Sequence, residues 1–302
     1  MKTLVVLQGP TAVGKTALSL SLAKWLGCPI INADSRQIYH EMPIGTAAPT
    51  AEEQALVRHF FVGSLSVTEY WSAARYEQEV MTLCHELFKQ HDVLLLSGGS
   101  MLYIDAVCEG IDDIPTVDDD TRRFLRERYQ QEGLAPLRRE LRLLDPEYYA
   151  ICDLKNAKRI VHALEICYVS GTTYTSFRRR QPHPRPFQTI RIGLQRERPE
   201  LYDLINRRVS HMVHLGLVDE ARQLLPLKHL NALNTVGYKE LFEYFSGHMS
   251  LNEALDKIRQ HTRIYSRKQM TWMRRRNDIT WFAPEAEEQI RKFITSRISE
   301  KA

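Results

Sequence analysis

Eight residues, Gly9-Pro10-Thr11-Ala12-Val13-Gly14-Lys15-Thr16, constrain what this chain can fold into more than any other stretch. They follow Leu4-Val5-Val6-Leu7, a short apolar run that reads as a buried strand. They precede residues 17–26, which read as a helix with Gly27 placed as its stop. Strand, glycine-rich turn and helix are the context in which G-x-x-x-x-G-K-[ST] is a phosphate loop. Gly9 and Gly14 let backbone N–H groups turn inward around phosphate oxygens, where a side chain would block them. The helix that follows points its positive end at the same place. Lys15 adds a charge for the outer phosphate, and the Thr16 hydroxyl is the expected Mg²⁺ ligand. The pattern predicts an α/β fold with a P-loop NTPase-like parallel sheet core flanked by helices.

Further buried strands are predicted at Pro29-Ile30-Ile31-Asn32-Ala33, Val93-Leu94-Leu95-Leu96-Ser97, Thr189-Ile190-Arg191-Ile192-Gly193-Leu194 and Asp278-Ile279-Thr280-Trp281-Phe282. In an open α/β sheet, ligands gather beyond the carboxyl ends of the strands. That rule puts Asp34 and the phosphate loop in one pocket. Asp is equally favoured as a helix N-cap, and the residues alone leave both readings open. Gly98-Gly99-Ser100 repeats the passage from strand to glycine turn, so the Ser100 hydroxyl either meets a ligand or caps the next helix. His59, isolated beyond the loop at residues 44–49, is expected to have a minor role. Residues 68–90 carry apolar and aromatic side chains at helical spacing and predict a long core helix. A second such pattern covers residues 198–215, where Arg208 can reach an anion or extend to solvent.

From Asp112 the texture changes. Residues 1–113 and 188–302 read as the catalytic core with C-terminal helices, and 114–187 as a helical insert. Arg122, Arg123, Arg126, Arg128, Arg138, Arg139, Arg142, Lys158 and Arg159 lie in the insert, followed by Arg178, Arg179, Arg180 and the proline-rich run Pro182-His183-Pro184-Arg185-Pro186. The net charge is only +4, so the whole-protein field does not signal nucleic acid. The clustering does, because arginine-dense helices beside a phosphate pocket suit a polyanion. A basic C-terminal helix interleaves arginines with Tyr265, Trp272 and Met273. The five cysteines are scattered without a C-x-x-C pair, which implies neither a zinc site nor a disulfide framework and fits buried thiols in a reducing cytosol. With no basic-then-apolar leader and no apolar run of membrane-spanning length, a cytoplasmic protein without membrane contact is expected.

A phosphate loop serves several chemistries. A small-molecule kinase is one; a GTPase or mechanical ATPase would need an apolar strand ending in an acidic Mg²⁺ ligand, which the chain lacks. Ser35-Arg36-Gln37 instead suits the edge of a base, and the insert suits an RNA backbone. In these features the chain resembles the tRNA dimethylallyltransferases (tRNA isopentenyltransferases), of bacterial type. The resemblance rests on residues 9–16, Ala33-Asp34-Ser35-Arg36-Gln37-Ile38-Tyr39, Ile44-Gly45-Thr46-Ala47, residues 98–103, residues 158–165 and Val236-Gly237-Tyr238-Lys239-Glu240. These matches run in order over nearly the whole chain.

The resemblance implies transfer of the dimethylallyl group from dimethylallyl diphosphate to N6 of adenosine 37 in the tRNA anticodon loop. The loop Gly9, Pro10, Thr11, Ala12, Val13, Gly14, Lys15 and Thr16 would hold the diphosphate with Mg²⁺. Asp34 would be the general base. Ser100, where the family commonly has Thr, would contact the diphosphate, as would Arg208 from beyond the insert. Asp34, Ser35, Arg36, Gln37, Arg122, Lys158, Arg159, Ile160, Val161 and His162 would be tRNA contacts, and the enzyme is expected to act as a monomer. Residues 262–269 depart from the family's Thr-Arg-x-Tyr-Ala-Lys-Arg-Gln but keep its charge. The rivals are an adenylate isopentenyltransferase acting on free AMP or ATP, which would not need the insert, and a P-loop kinase. A tRNA-binding protein without activity is opposed by intact Lys15, Thr16 and Asp34.

Overall fold

Leu4, Val5, Val6 and Leu7 have no exposed surface because they lie in β1 (Thr3–Gln8), an inner strand of a parallel sheet. The computed structural model describes residues 1–178 and 183–300, so Arg179, Arg180 and Pro182 of the basic run lie outside the described residues. After the phosphate loop comes α1 (Lys15–Leu26), ended by Gly27 in the left-handed conformation that favours glycine. Then follow β2 (Ile30–Ala33), α2 (Ala51–Leu56), β3 (His59–Phe60), α3 (Ala73–Leu87), β4 (Val93–Gly98) and α4 (Met101–Glu109). Residues 110–187 contribute α5 (Asp119–Glu132), α6 (Leu134–Leu144), α7 (Pro146–Ile151), α8 (Ala157–Ser170) and α9 (Tyr174–Phe177). The chain continues as β5 (Gln188–Leu194), α10 (Arg198–His214), α11 (Leu217–Leu224), α12 (Tyr238–Phe245), α13 (Leu251–Met273), β6 (Ile279–Phe282) and α14 (Glu287–Ser299).

Among the described residues the sheet order is β3-β2-β4-β1-β5-β6, with every neighbouring pair parallel. This is the predicted fold class. Helices cover both faces, which is why the inner strands read as continuous apolar runs rather than alternating ones. Gly98 sits opposite Ala33 in the β2–β4 pairing, and a Cβ there would lie 2.2 Å from the Ala33 carbonyl oxygen. Only glycine lets the two strand ends approach so closely, and those ends carry Asp34 and Ser100.

The chain divides into two compact units, Met1–Cys108 with Pro184–Ala302, and Glu109–His183. The boundaries drawn from sequence fall a few residues later at each junction. The first unit holds the sheet core and a second apolar cluster built from Ile38, Met42, Val209, Leu217, Tyr238, Leu241 and Ile258. The second unit has its own core of Leu125, Leu137, Leu141, Ile160, Ala163 and Leu164. There the buried Asp145 accepts hydrogen bonds from Tyr148 N–H and from the N–H and hydroxyl of Thr175.

One local reading is corrected, and two elements form where none is predicted from the sequence. The predicted helix at 68–90 begins only at Ala73, because the Ser72 hydroxyl caps it by accepting from Arg75 N–H. His59 and Phe60 form the two-residue edge strand β3, too short to show a period. Glu287–Ser299 forms α14, seating Ile290 and Ile294 in the sheet core. No helix among the described residues is long and apolar enough to cross a membrane.

Candidate active site

The phosphate loop bends where the sequence places its small residues: Ala12 has φ 64° and Gly14 has φ 112°. Val13 turns its side chain into the sheet core, while Thr11, Ala12, Gly14, Lys15 and Thr16 line a cavity of about 450 Å³. Gly9 and Pro10 are buried behind them, and Pro10 lines a separate groove of about 640 Å³ bordered by Arg196, Glu200 and Glu285. That groove reaches neither Lys15 nor Asp34, and its charges are of both signs.

The Lys15 ammonium is turned inward and donates to the carbonyls of Gly9 (3.0 Å) and Pro10 (2.8 Å). Burial, and next the nearby Arg208, lower its pKa to about 7, against the pull of Asp34. Arg208 is likewise held below its ordinary value by burial, with Asp34 opposing. Its guanidinium makes two long contacts, to Thr11 Oγ1 and Thr46 O, both 3.4 Å. Among the described residues it has no ion pair, so its charge is left for a bound anion.

Asp34 follows β2 and shapes the next turn: Oδ1 accepts from Arg36 N–H (2.8 Å) and Gln37 N–H (3.3 Å). This is the backbone capping expected of an Asx residue, yet no helix follows. Among the described residues Oδ2 makes no hydrogen bond, so one oxygen holds the turn and the other is available to a ligand. The Ser100 hydroxyl accepts from Ser35 N–H (2.8 Å) and donates to Ser35 Oγ (3.2 Å), tying the β4 end to that turn instead of capping α4. The Gln37 amide donates to the carbonyls of Thr46 and Ala47, which fixes the loop at 44–49.

A second cavity, of about 380 Å³, shares Thr11, Asp34, Thr46, Arg208 and Tyr265 with the first. Its lining is polar at Ser35, Arg36, Asn234, Thr235 and Lys239 and apolar at Ile205, Val209, Met212, Leu217 and Ile258. Ile205, Arg208, Val209 and Met212 follow one face of α10 at spacings of three and four. The two cavities therefore meet at a carboxylate and a guanidinium.

The family described as IPP transferase matches residues 37–276. The tRNA dimethylallyltransferase 1 of Phocaeicola vulgatus is 59% identical over 294 residues, covering 97% of this chain and 98% of the relative. The chain belongs to the tRNA dimethylallyltransferase family. The full-length tRNA isopentenylpyrophosphate transferase of Bacillus halodurans has a solved structure 34% identical to this chain, with TM-score 0.74 and coverage of 100% and 98%. A eukaryotic dimethylallyltransferase structure, 20% identical, shares the fold at TM-score 0.84, covering 100% of this chain and 81% of its own.

Against that membership, the structure distributes the tRNA residues expected from sequence over both units. Lys158, Arg159 and His162 are exposed on α8, and Arg122 on α5 faces Asp119 at 3.9 Å. Ile160 is fully buried in the second unit's core, so its side chain packs and cannot touch RNA; Val161 packs partly beside it. Sequence reasoning gave no role to Gln269, the buried last residue of the Thr-Arg-x-Tyr-Ala-Lys-Arg-Gln counterpart. Its Oε1 accepts from Thr11 N–H and its Nε2 donates to Gly99 O, both 2.9 Å, locking the phosphate loop to the turn after β4. Thr262, Tyr265 and Gln269 share one face of α13, a signal present in their spacing.

Proposed function

We propose that this tRNA dimethylallyltransferase binds dimethylallyl diphosphate by its diphosphate at the phosphate loop and attaches the five-carbon group to N6 of adenosine 37. The observation that carries this reading is the meeting of the two cavities at Asp34 and Arg208. The first cavity offers N–H groups, Lys15 and Arg208 to an anion. The second offers a polar side to a flipped base and an apolar wall to the prenyl chain. An adenine pressed against the apolar wall would leave its ring nitrogens without partners, at a cost of about 1–3 kcal/mol each. The base is therefore assigned to the side of Ser35, Arg36 and Thr235.

In the transfer, the N6 nitrogen forms a bond to the allylic carbon as the carbon–oxygen bond to diphosphate breaks, and diphosphate leaves with the electron pair. Asp34 accepts the N6 proton, which makes a weakly nucleophilic amino group competent in the transition state. Lys15, Arg208 and the loop N–H groups meet the charge that grows on the leaving diphosphate. Mg²⁺ fits these residues, because it takes oxygen ligands and is usually held by one or two protein groups with substrate phosphates. The exposed Thr16 hydroxyl would be such a ligand, and no three-residue His/Cys/Asp/Glu cage occurs among the described residues. When bound, the ion would neutralise part of the diphosphate charge.

Arg122, Lys158 and Arg159 serve this reading as backbone contacts to the anticodon stem-loop, whose unpaired bases are cheaper to extrude than those of a duplex. Arg122→Ala should weaken tRNA binding several-fold and reduce the slope of log affinity against log salt by about one. An affinity unchanged at every salt concentration would make Arg122 an ordinary partner of Asp119.

The direct test uses labelled dimethylallyl diphosphate and Mg²⁺, with unmodified tRNA carrying A37 and, separately, AMP. Label on tRNA that disappears when A37 is replaced supports the reading. Label on AMP alone moves the enzyme to the adenylate branch, and ATP consumption without prenyl transfer makes it a kinase.

A further inference from the structure

Glu220 lies on α11, outside the two cavities, yet it is a buried carboxylate with a specific load. Its Oε2 accepts from Ile44 N–H (2.8 Å), and its Oε1 accepts from Gly45 N–H (2.8 Å) and from the Tyr238 hydroxyl (2.6 Å). Two successive backbone N–H groups need two acceptor oxygens in one plane, which a carboxylate supplies and a carboxamide does not. Tyr238, with no exposed surface, closes the arrangement from α12. Its hydroxyl lies where a Cβ on Gly45 would come within 2.4 Å, so glycine is required at that position.

The held loop reaches the chemistry at Thr46, which lines both cavities. The Thr46 carbonyl, one residue beyond Gly45, is one of only two polar contacts of the Arg208 guanidinium among the described residues, the other being Thr11 Oγ1. Gln37 fastens the same carbonyl from the Asp34 turn. We propose that Glu220, through Ile44 and Gly45, is the positioning residue that aims Arg208 into the phosphate-loop cavity. The inference rests on that cavity being the diphosphate site. A residue needed only for packing would act equally whether or not Arg208 is present; one that aims Arg208 would not.

The test is a double-mutant cycle read by binding of inorganic diphosphate with Mg²⁺ to the full chain, with melting temperature recorded for each variant. Glu220→Gln should weaken binding about tenfold in otherwise wild-type protein and less than twofold once Arg208→Ala is present. Tyr238→Phe, which removes one of the three bonds and keeps the ring against Gly45, should show the same pattern at about threefold and stands in if Glu220→Gln does not fold. Equal factors in both backgrounds, or no effect of either substitution, overturn the inference and leave the proposed function standing. Wild-type protein that binds no diphosphate overturns both.

Discussion

Replacing Asp34 by Asn should lower the rate of transfer to tRNA by about two orders of magnitude or more while tRNA affinity stays within a few-fold. The asymmetry follows from the two oxygens. Oδ1 holds the turn through Arg36 and Gln37 N–H, and an Asn oxygen can keep both bonds. The other position then presents an amide NH₂, a donor where the N6 proton needs an acceptor. Asp34→Ala should lose as much rate and some tRNA affinity besides, because the turn that carries Ser35 and Arg36 loses its cap. Diphosphate gives an independent sign: an anion has left the cavity beside Lys15 and Arg208, so affinity for inorganic diphosphate should rise or hold. Single-turnover rates with saturating tRNA, filter-binding affinities and diphosphate titration separate the three quantities. Rate and tRNA affinity falling by equal factors in Asp34→Asn would remove the general-base role.

What the sequence made legible is the part governed by local rules. The apolar strand, the glycine turn and Gly27 as a left-handed stop are each decided within a few residues, and the structure has them where expected. The neighbouring placement of Asp34 and the phosphate loop follows from the parallel sheet, because inner strands deliver their carboxyl ends to one edge. Roles decided by long-range partners were hidden. Glu220 reads as one more acid on an amphipathic helix, and nothing local says that its oxygens face Ile44 and Gly45 across the chain. Gln37 reads as suited to a base edge, and nothing local says that its amide NH₂ is bonded to the carbonyls of Thr46 and Ala47. Ser100 offers the same lesson: the residues alone allow a ligand contact or a cap, and the structure has its hydroxyl bonded to Ser35 rather than capping α4. Ile160 shows the converse, since a motif match transfers a position but not an exposure.

Lys15→Met should reduce transfer by about two to three orders of magnitude at neutral pH, the scale of losing one preorganised donor to a developing oxyanion. It should also abolish a pH dependence that the wild-type enzyme shows. In the ligand-free site burial and Arg208 set the Lys15 pKa near 7, so the side chain is largely neutral at pH 8.5. A diphosphate favours the ammonium, so binding above neutrality must take up a proton, and affinity falls as pH rises. The last ionisation of a phosphate group esterified on carbon lies near pH 6, so between pH 7.5 and 9 the charge of dimethylallyl diphosphate itself is nearly constant and the slope of its binding reports the lysine. It should approach about tenfold weaker binding per pH unit. Stability of the ligand-free protein moves the other way. The folded pKa lies below the ordinary 10.5, so the unfolded chain binds more protons between the two values and stability rises with pH across that window. The penalty is full below pH 7, where both states carry the charge, and absent above 10.5, where neither does. Titrations of dimethylallyl diphosphate, with tRNA left out, at pH 7.5 and 9 in buffers of different ionisation enthalpy count the proton directly. Wild-type affinity that is flat over this range, or a slope that survives in Lys15→Met, would show that the ammonium enters the reaction already charged.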